Sequence, residues 1–427
     1  MMKQIVKTVA VVAPLFVLVG CGDSLDAPVT EEVKGGELLV DFSAESMKKS
    51  LLSSGVVTEE DSVYGYKAYK VPYITTDEEG NEVEASGLFV VPTGDENFTT
   101  KGISMVSDDH GTIFANREAP TVIADNYGGP DGSAIILTSM GGFATLQADY
   151  IGFGDSNEHY HPYLLKKSLA SSTVDFIKQV KQFSLDNNIT LNNQLFLTGY
   201  SEGGYAAMST LQALEAEPVD GLQVSMAAPM SGPYFMSGLA GAVLQSDTIG
   251  IPSFVADIGY AYSKAYDQNL STIINEPYAS KLPTLLSGDY NRTQVDAELT
   301  TVTKGENGLF TDSFVSSYFT GQSWFNVAMA ENDVYKWSAS TPVALVHCKG
   351  DTVVPYAMSE LTEGNMTAEG SASVTLYPVE DTLNYFNTMA GSPRPMLPYL
   401  DHAECGVYAY VLTNGIFKQY RQATVGY

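Results

Sequence analysis

The sequence predicts an α/β fold, a mostly parallel sheet covered by helices and interrupted once by a long helical insertion. Three observations point to it. Short apolar runs alternate with segments of helical spacing through most of the 427 residues, the pattern of a parallel sheet covered on both faces. Hydrophobic residues make up 44% of the chain, enough for a large core. One stretch, Ser231 to Ser340, lacks strand runs, is rich in helical pattern and aromatics such as Tyr234, Phe254, Tyr262, Phe314 and Trp324, and is too long for a simple loop.

The elements follow in chain order. Val63 to Ile74 and Val83 to Val91 read as paired strands, with turn residues Asp77-Glu78-Glu79-Gly80-Asn81 between them. Ile103 to Val106 and Phe143 to Ala148 are short apolar runs of strand type. Lys166 to Phe183 places Leu169, Val174, Ile177, Val180 and Phe183 at helical spacing. Leu195 to Leu197 is another buried run, followed by a helix over Tyr205 to Glu215. Leu222 to Met226, Val343 to Val346 and Val374 to Tyr377 complete the strand series.

The N-terminus has the marks of a targeting signal. Lys3 and Lys7 precede an apolar run from Val9 to Val19, which ends in Leu18-Val19-Gly20-Cys21. These four residues resemble the lipobox of bacterial lipoproteins. The resemblance implies cleavage before Cys21, lipidation of its sulfur and a membrane partner reached through that lipid. Gly22 stands where Asp would favour inner-membrane retention, so the expected location is the cell envelope, at the outer membrane or cell surface. Gly22 to Ser50, acidic and polar with Pro28 and Gly35-Gly36, reads as a tether.

The formal charge is −28. Such a surface repels nucleic acid, and no nucleic-acid partner is expected. The acidic balance reads as a solubility adaptation and says little about substrate.

Gly199-Tyr200-Ser201-Glu202-Gly203 fits G-x-S-x-G. The motif alone is common. Here it follows the strand Leu195-Phe196-Leu197-Thr198 and precedes a helix, which is what a nucleophile elbow requires. Ser201 is therefore the candidate nucleophile.

The chain holds five histidines. On this strand-turn-helix scaffold the order is nucleophile, acid, base. Only His347 and His402 follow Ser201. His347 ends a strand run and reads as structural. His402 follows a Pro-rich loop and precedes an apolar helix, where it can reach the serine and take its proton. Asp351, in Gly350-Asp351-Thr352 directly after a strand, has the place and order of the acid that orients the base. Asp381 and Asp401 are its competitors.

Three cysteines occur. With Cys21 lipidated, Cys348 and Cys405 remain, three residues before Asp351 and three after His402. In an oxidising compartment they are expected to form a disulfide joining the two loops.

Acyl transfer needs N–H donors aimed at the developing oxyanion. The residue after the nucleophile supplies one, here the Glu202 N–H. The other is expected from Ser107-Asp108-Asp109-His110-Gly111-Thr112, at Thr112 or, failing that, Gly111.

Taken together, His110-Gly111-Thr112, Asp149-Tyr150-Ile151-Gly152-Phe153-Gly154-Asp155-Ser156, His161-Pro162-Tyr163-Leu164, Gly199 to Gly204, Gly350-Asp351 and Asp401-His402 resemble the secretory lipase-like branch of the α/β-hydrolases. The resemblance runs from about Val63 to the C-terminus. It implies an α/β-hydrolase fold of eight strands with a mostly parallel central sheet, an inserted, mainly helical cap after the sixth strand, and hydrolysis of a small-molecule ester. That branch often has Gln after the nucleophile; Glu202 departs from it, though only its backbone N–H is required. His161-Pro162-Tyr163 reads as a structural loop near the site. His159 and His161 have no evident third ligand, so no metal is expected, and the acyl-enzyme route needs no cofactor.

The expected organisation is a lipoprotein signal peptide over 1–20, a tether over 21–50, and a hydrolase domain over 51–427 with a cap at about 231–340. The expected activity is a serine esterase or lipase working through an acyl-enzyme on Ser201. A peptidase or aminopeptidase on the same scaffold and a non-catalytic, surface-tethered binding protein are the alternatives, because pocket and cap rather than triad decide the chemistry.

Overall fold

The computed structural model describes residues 33–219, 221, 223–321, 323–389 and 395–427. The signal-peptide segment and Cys21 lie outside them. Nine strands form one sheet in the order β1-β2-β3-β5-β4-β6-β7-β8-β9. β1 (Glu37–Phe42), β2 (Gly65–Thr76) and β3 (Glu82–Thr93) are antiparallel, and β3 also runs antiparallel to β5 (Ala144–Ala148). From β5 onward the pairing is parallel, through β4 (Ile103–Asp109), β6 (Leu191–Tyr200), β7 (Val224–Met230), β8 (Val343–His347) and β9 (Val374–Pro378).

Two expectations are corrected here. The sheet has nine strands among the described residues, not eight, and the tether proposed over 21–50 gives way to structure before Ser50. Glu37–Phe42 adds β1 to the sheet edge, and Ala44–Ser53 is a helix capped by Ser43. The strand is hard to read because it lies on an edge. Only Val40 is buried, and charges at Glu37 and Asp41 mark the exposed positions, a common way to protect an edge.

The parallel strands carry apolar residues to both faces. In β6, Leu195 and Leu197 enter one core while Phe196 enters the other, against Phe143 and Phe417. This is the period-two alternation of a strand covered on two sides. The helix Lys166–Asp186 buries Leu169, Val174, Ile177, Val180 and Phe183, the positions its spacing singled out. The opposite face is closed by the C-terminal helix His402–Thr424, which contributes Phe417.

Between Met230 and Val343 the chain is mainly helical, with helices Met236–Gln245, Pro252–Ala265, Tyr278–Leu285, Arg292–Asp296, Asp312–Phe319 and Trp324–Glu331. Phe310, Phe314, Tyr318 and Phe325 pack on one another there, and they join the core on one face of the sheet. Tyr262 donates to the Leu164 carbonyl (3.0 Å) and Tyr205 to the Asn332 carbonyl (2.7 Å), seating the insertion on the sheet domain. A buried, satisfied hydroxyl fixes orientation because its unpaired alternative is costly.

Candidate active site

Ser201 sits between the end of β6 and the helix Glu202–Ala216, at φ 61° and ψ −118°. A non-glycine residue in this region is strained and persists only where its surroundings impose it. The imposition comes from close packing of the turn. A Cβ at Gly203 would lie 1.8 Å from the Asp109 carbonyl oxygen, so only glycine lets the helix start this close to β4.

His402 presents Nε2 2.9 Å from Ser201 Oγ and Nδ1 2.5 Å from Asp351 Oδ2. Asp351 Oδ1 accepts from the Val353 and Val354 amides, both at 2.9 Å. Burial would raise this carboxyl, but hydrogen bonds from His347 and His402 outweigh it and hold its pKa down to about 2. A carboxylate that stays ionised can fix the Nδ1–H tautomer of His402 and leave Nε2 free to accept the serine proton.

The segments that carry Asp351 and His402 are stitched together. Cys348 and Cys405 are disulfide-bonded with Cα atoms 5.9 Å apart. The buried Glu380 carboxylate accepts from Lys349 N (3.0 Å), Gly350 N (3.4 Å) and Leu400 N (3.0 Å), spanning both segments. A Cβ at Gly350 would lie 2.6 Å from the Leu400 carbonyl oxygen. Tyr200 adds a bond to the His402 carbonyl at 2.6 Å.

No family model matches the chain, and no curated protein does. Solved structures do. A protein from Legionella pneumophila superposes with a TM-score of 0.77 at 24% identity, over 92% of this chain and 99% of the other. The rice cell wall degrading esterase LipA from Xanthomonas oryzae superposes at 0.73 and 22% identity, over 91% and 96%. Lipase A from Candida antarctica does so at 0.58 and 13%, over 91% and 90%. The chain has the α/β-hydrolase fold. In an α/β-hydrolase, ligands meet the sheet at the carboxyl ends of its parallel strands, and Ser201, Asp351 and the loop after β4 all lie at such ends.

The other candidates for acid and base have different partners in this structure. Asp401 caps the C-terminal helix, accepting from Glu404 N at 2.9 Å. His402 is thus the first residue of that helix and not a loop residue, because Asp401 satisfies the helix's free N–H groups from the position before it. Asp381 pairs with Lys349. His347, read as purely structural, does more: its Nε2 lies 2.9 Å from the Val354 carbonyl and 3.3 Å from Asp351 Oδ2. His159 is exposed, and His161 uses both ring nitrogens on protein partners.

The loop after β4 approaches Ser201. A Cβ at Gly111 would lie 3.8 Å from Ser201 Cβ. His110 braces this loop, with ring nitrogens reaching the carbonyls of Gly111 (2.8 Å) and Asp149 (3.2 Å) and its ring on Tyr150 at 4.1 Å. Thr112 Oγ1 is paired with Tyr163 Oη at 2.9 Å. Glu202 N opens the helix beside Ser201. The Glu202 side chain is buried, with Oε1 2.8 Å from His161 Nε2, while Oε2 has no hydrogen-bond partner among the described residues. Asp257, from the insertion, lines a small pocket with Ile113, Phe114, Phe153 and His161. Burial and the nearby Glu202 push its carboxyl up to about 7, against the pull of His161.

Sequence reasoning passed over Glu380 and the His161–Glu202 pair. A glutamate at the head of a helix reads as an ordinary first-turn acid. The adjoining Lys349-Gly350 amides that Glu380 serves become its neighbours only in the folded sheet.

Proposed function

We propose that this protein is a serine carboxylic-ester hydrolase acting through an acyl-enzyme. The observation that carries the reading is the unbroken chain from Ser201 Oγ through His402 to Asp351, at 2.9 and 2.5 Å, at the carboxyl ends of parallel strands. The named esterase and lipase among the structural neighbours support the same chemistry.

In this reading Ser201 Oγ attacks the ester carbonyl carbon as His402 Nε2 takes its proton. The carbonyl electron pair moves to oxygen, where the Glu202 N–H and an N–H of the Gly111-Thr112 segment receive it. Each such donor is worth on the order of 3 kcal/mol in the transition state. Collapse expels the alcohol, protonated by His402, and leaves acyl-Ser201. Water, deprotonated by His402, then releases the acid. Asp351 holds the imidazolium throughout. No step calls for a cofactor. Export and anchoring through a lipid on Cys21 belong to the same proposal, and mass spectrometry of the envelope-associated protein tests them: an unmodified Cys21 thiol removes the anchor.

Hydrolysis of p-nitrophenyl esters of graded acyl length tests the chemistry, using protein without Met1 to Cys21 beside Ser201→Ala. Turnover by the parent that vanishes in the variant supports the reading. Equal, negligible rates on every ester overturn it.

A further inference from the structure

Glu202 is the least expected group at this site, an acid buried directly after the nucleophile. Its carboxylate reaches back to His161 at 2.8 Å, and both side chains are more than nine-tenths enclosed. His161 Nδ1 lies 2.9 Å from the Ile151 carbonyl. A carbonyl only accepts, so Nδ1 carries a proton. The remaining nitrogen and Glu202 Oε1 share one further proton between them, which makes the pair neutral as a unit. The Ile151 end is also fixed. A Cβ at Gly152 would lie 2.6 Å from His161 N, and Ser156 Oγ donates to the carbonyls of Tyr150 and Phe153.

We infer that His161 is a positioning residue for the oxyanion hole: through the Glu202 carboxylate it fixes the rotation of the Ser201–Glu202 peptide, whose N–H receives the developing charge. The side chain of residue 202 is anchored on one side of its Cα and its amide is aimed on the other. Turning the side chain loose removes one of two restraints on the first turn of the helix, the other being the close packing at Gly203. Burial would lower the His161 pKa, but the Glu202 charge and hydrogen bond more than offset this and raise it, in keeping with a proton held in the bridge. Asp257 faces the same pair from the insertion. A donor misaligned by a fraction of an ångström loses most of its effect in the transition state and little in the ground state.

The inference rests on the esterase reading, and the test separates the two. Steady-state hydrolysis of a short p-nitrophenyl ester is measured for the parent, His161→Phe, Glu202→Leu and Glu202→Gln. Inhibition by an alkyl trifluoromethyl ketone, which adds Ser201 Oγ and places an oxyanion in the hole, is measured beside it. His161→Gln replaces His161→Phe if the latter does not fold. The expected result is a kcat loss of about 30-fold or more for His161→Phe and Glu202→Leu, with KM within about threefold and ketone affinity weakened in step with kcat/KM. Glu202→Gln is expected to lose far less, about fivefold at most, because an amide N–H can donate to a neutral His161 Nε2. A folded His161→Phe with parental kcat overturns the inference, as does a kcat loss with unchanged ketone affinity. A parent inert toward every ester overturns the esterase reading itself.

Discussion

His347 Nε2 lies 3.3 Å from the same Asp351 oxygen that receives His402 Nδ1, and both side chains of this second pair are fully enclosed. Asp351 therefore serves two histidines. His402 faces the serine, while His347 is anchored through Ser359 at 2.7 Å. Asp351→Asn is expected to reduce kcat by about 10³- to 10⁴-fold, since the amide favours the wrong His402 tautomer. His347→Phe is expected to reduce it by about tenfold, through a less firmly held carboxylate. Steady-state kinetics at pH 7 check both. The depressed pKa of Asp351 contributes stability above its ordinary value near 3.8 that is lost as pH falls through about 2.

Asp257 has the opposite sign. Its carboxyl, raised to about 7, binds a proton in the folded protein that the unfolded chain has already released above pH 4. Stability from this group is thus lost as pH rises from about 4 through about 7. Asp257→Asn is expected to raise the melting temperature at pH 8 by several degrees and to change it little at pH 4 (thermal melts at the two values compare them). A uniform shift at both values contradicts the assignment.

Cys348 and Cys405 close a loop across 57 positions. Chain entropy alone assigns such a link about 4 kcal/mol of stability. The Cys348→Ser/Cys405→Ser double variant is expected to show a loss of that order in urea unfolding. Its kcat is expected to fall by less than about tenfold, because Glu380 still joins the same segments.

Glu380 supplies acceptors for three amides in the acid and base segments. Glu380→Leu leaves them without partners, at about 1–3 kcal/mol for each buried group. It is expected to lower both stability and kcat, and more so than removal of the disulfide. Glu380→Gln keeps one acceptor oxygen and is expected to fall between. Parallel urea and kinetic measurements on the two variants decide the order.

Much of this was legible in the sequence, and the limits have physical causes. Leu195-Phe196-Leu197 followed by Gly199 to Gly203 announces a buried strand, a sharp turn and a helix, because apolar alternation and small residues are local signals. Chain order brought forward Ser201, Asp351 and His402, and the fold places His402 within hydrogen-bond reach of both others. β1 escaped because an edge strand need bury only one residue, and here that residue is Val40. His161 with Glu202 and Glu380 with Leu400 escaped for a different reason. Such pairs join residues far apart in the chain, and the pairing is written in the sheet order alone.

A cross-link set between the acid and base segments has a thermodynamic reciprocal. Whatever favours their assembled arrangement must also favour the intact bond, by the same free energy. A ligand that binds better to the assembled arrangement of Asp351 and His402 is such an influence, and it shifts the reduction equilibrium of the disulfide toward the bonded form. The bond between Cys348 and Cys405 thereby becomes a chemical reporter on the site, read through its equilibrium with a thiol–disulfide buffer.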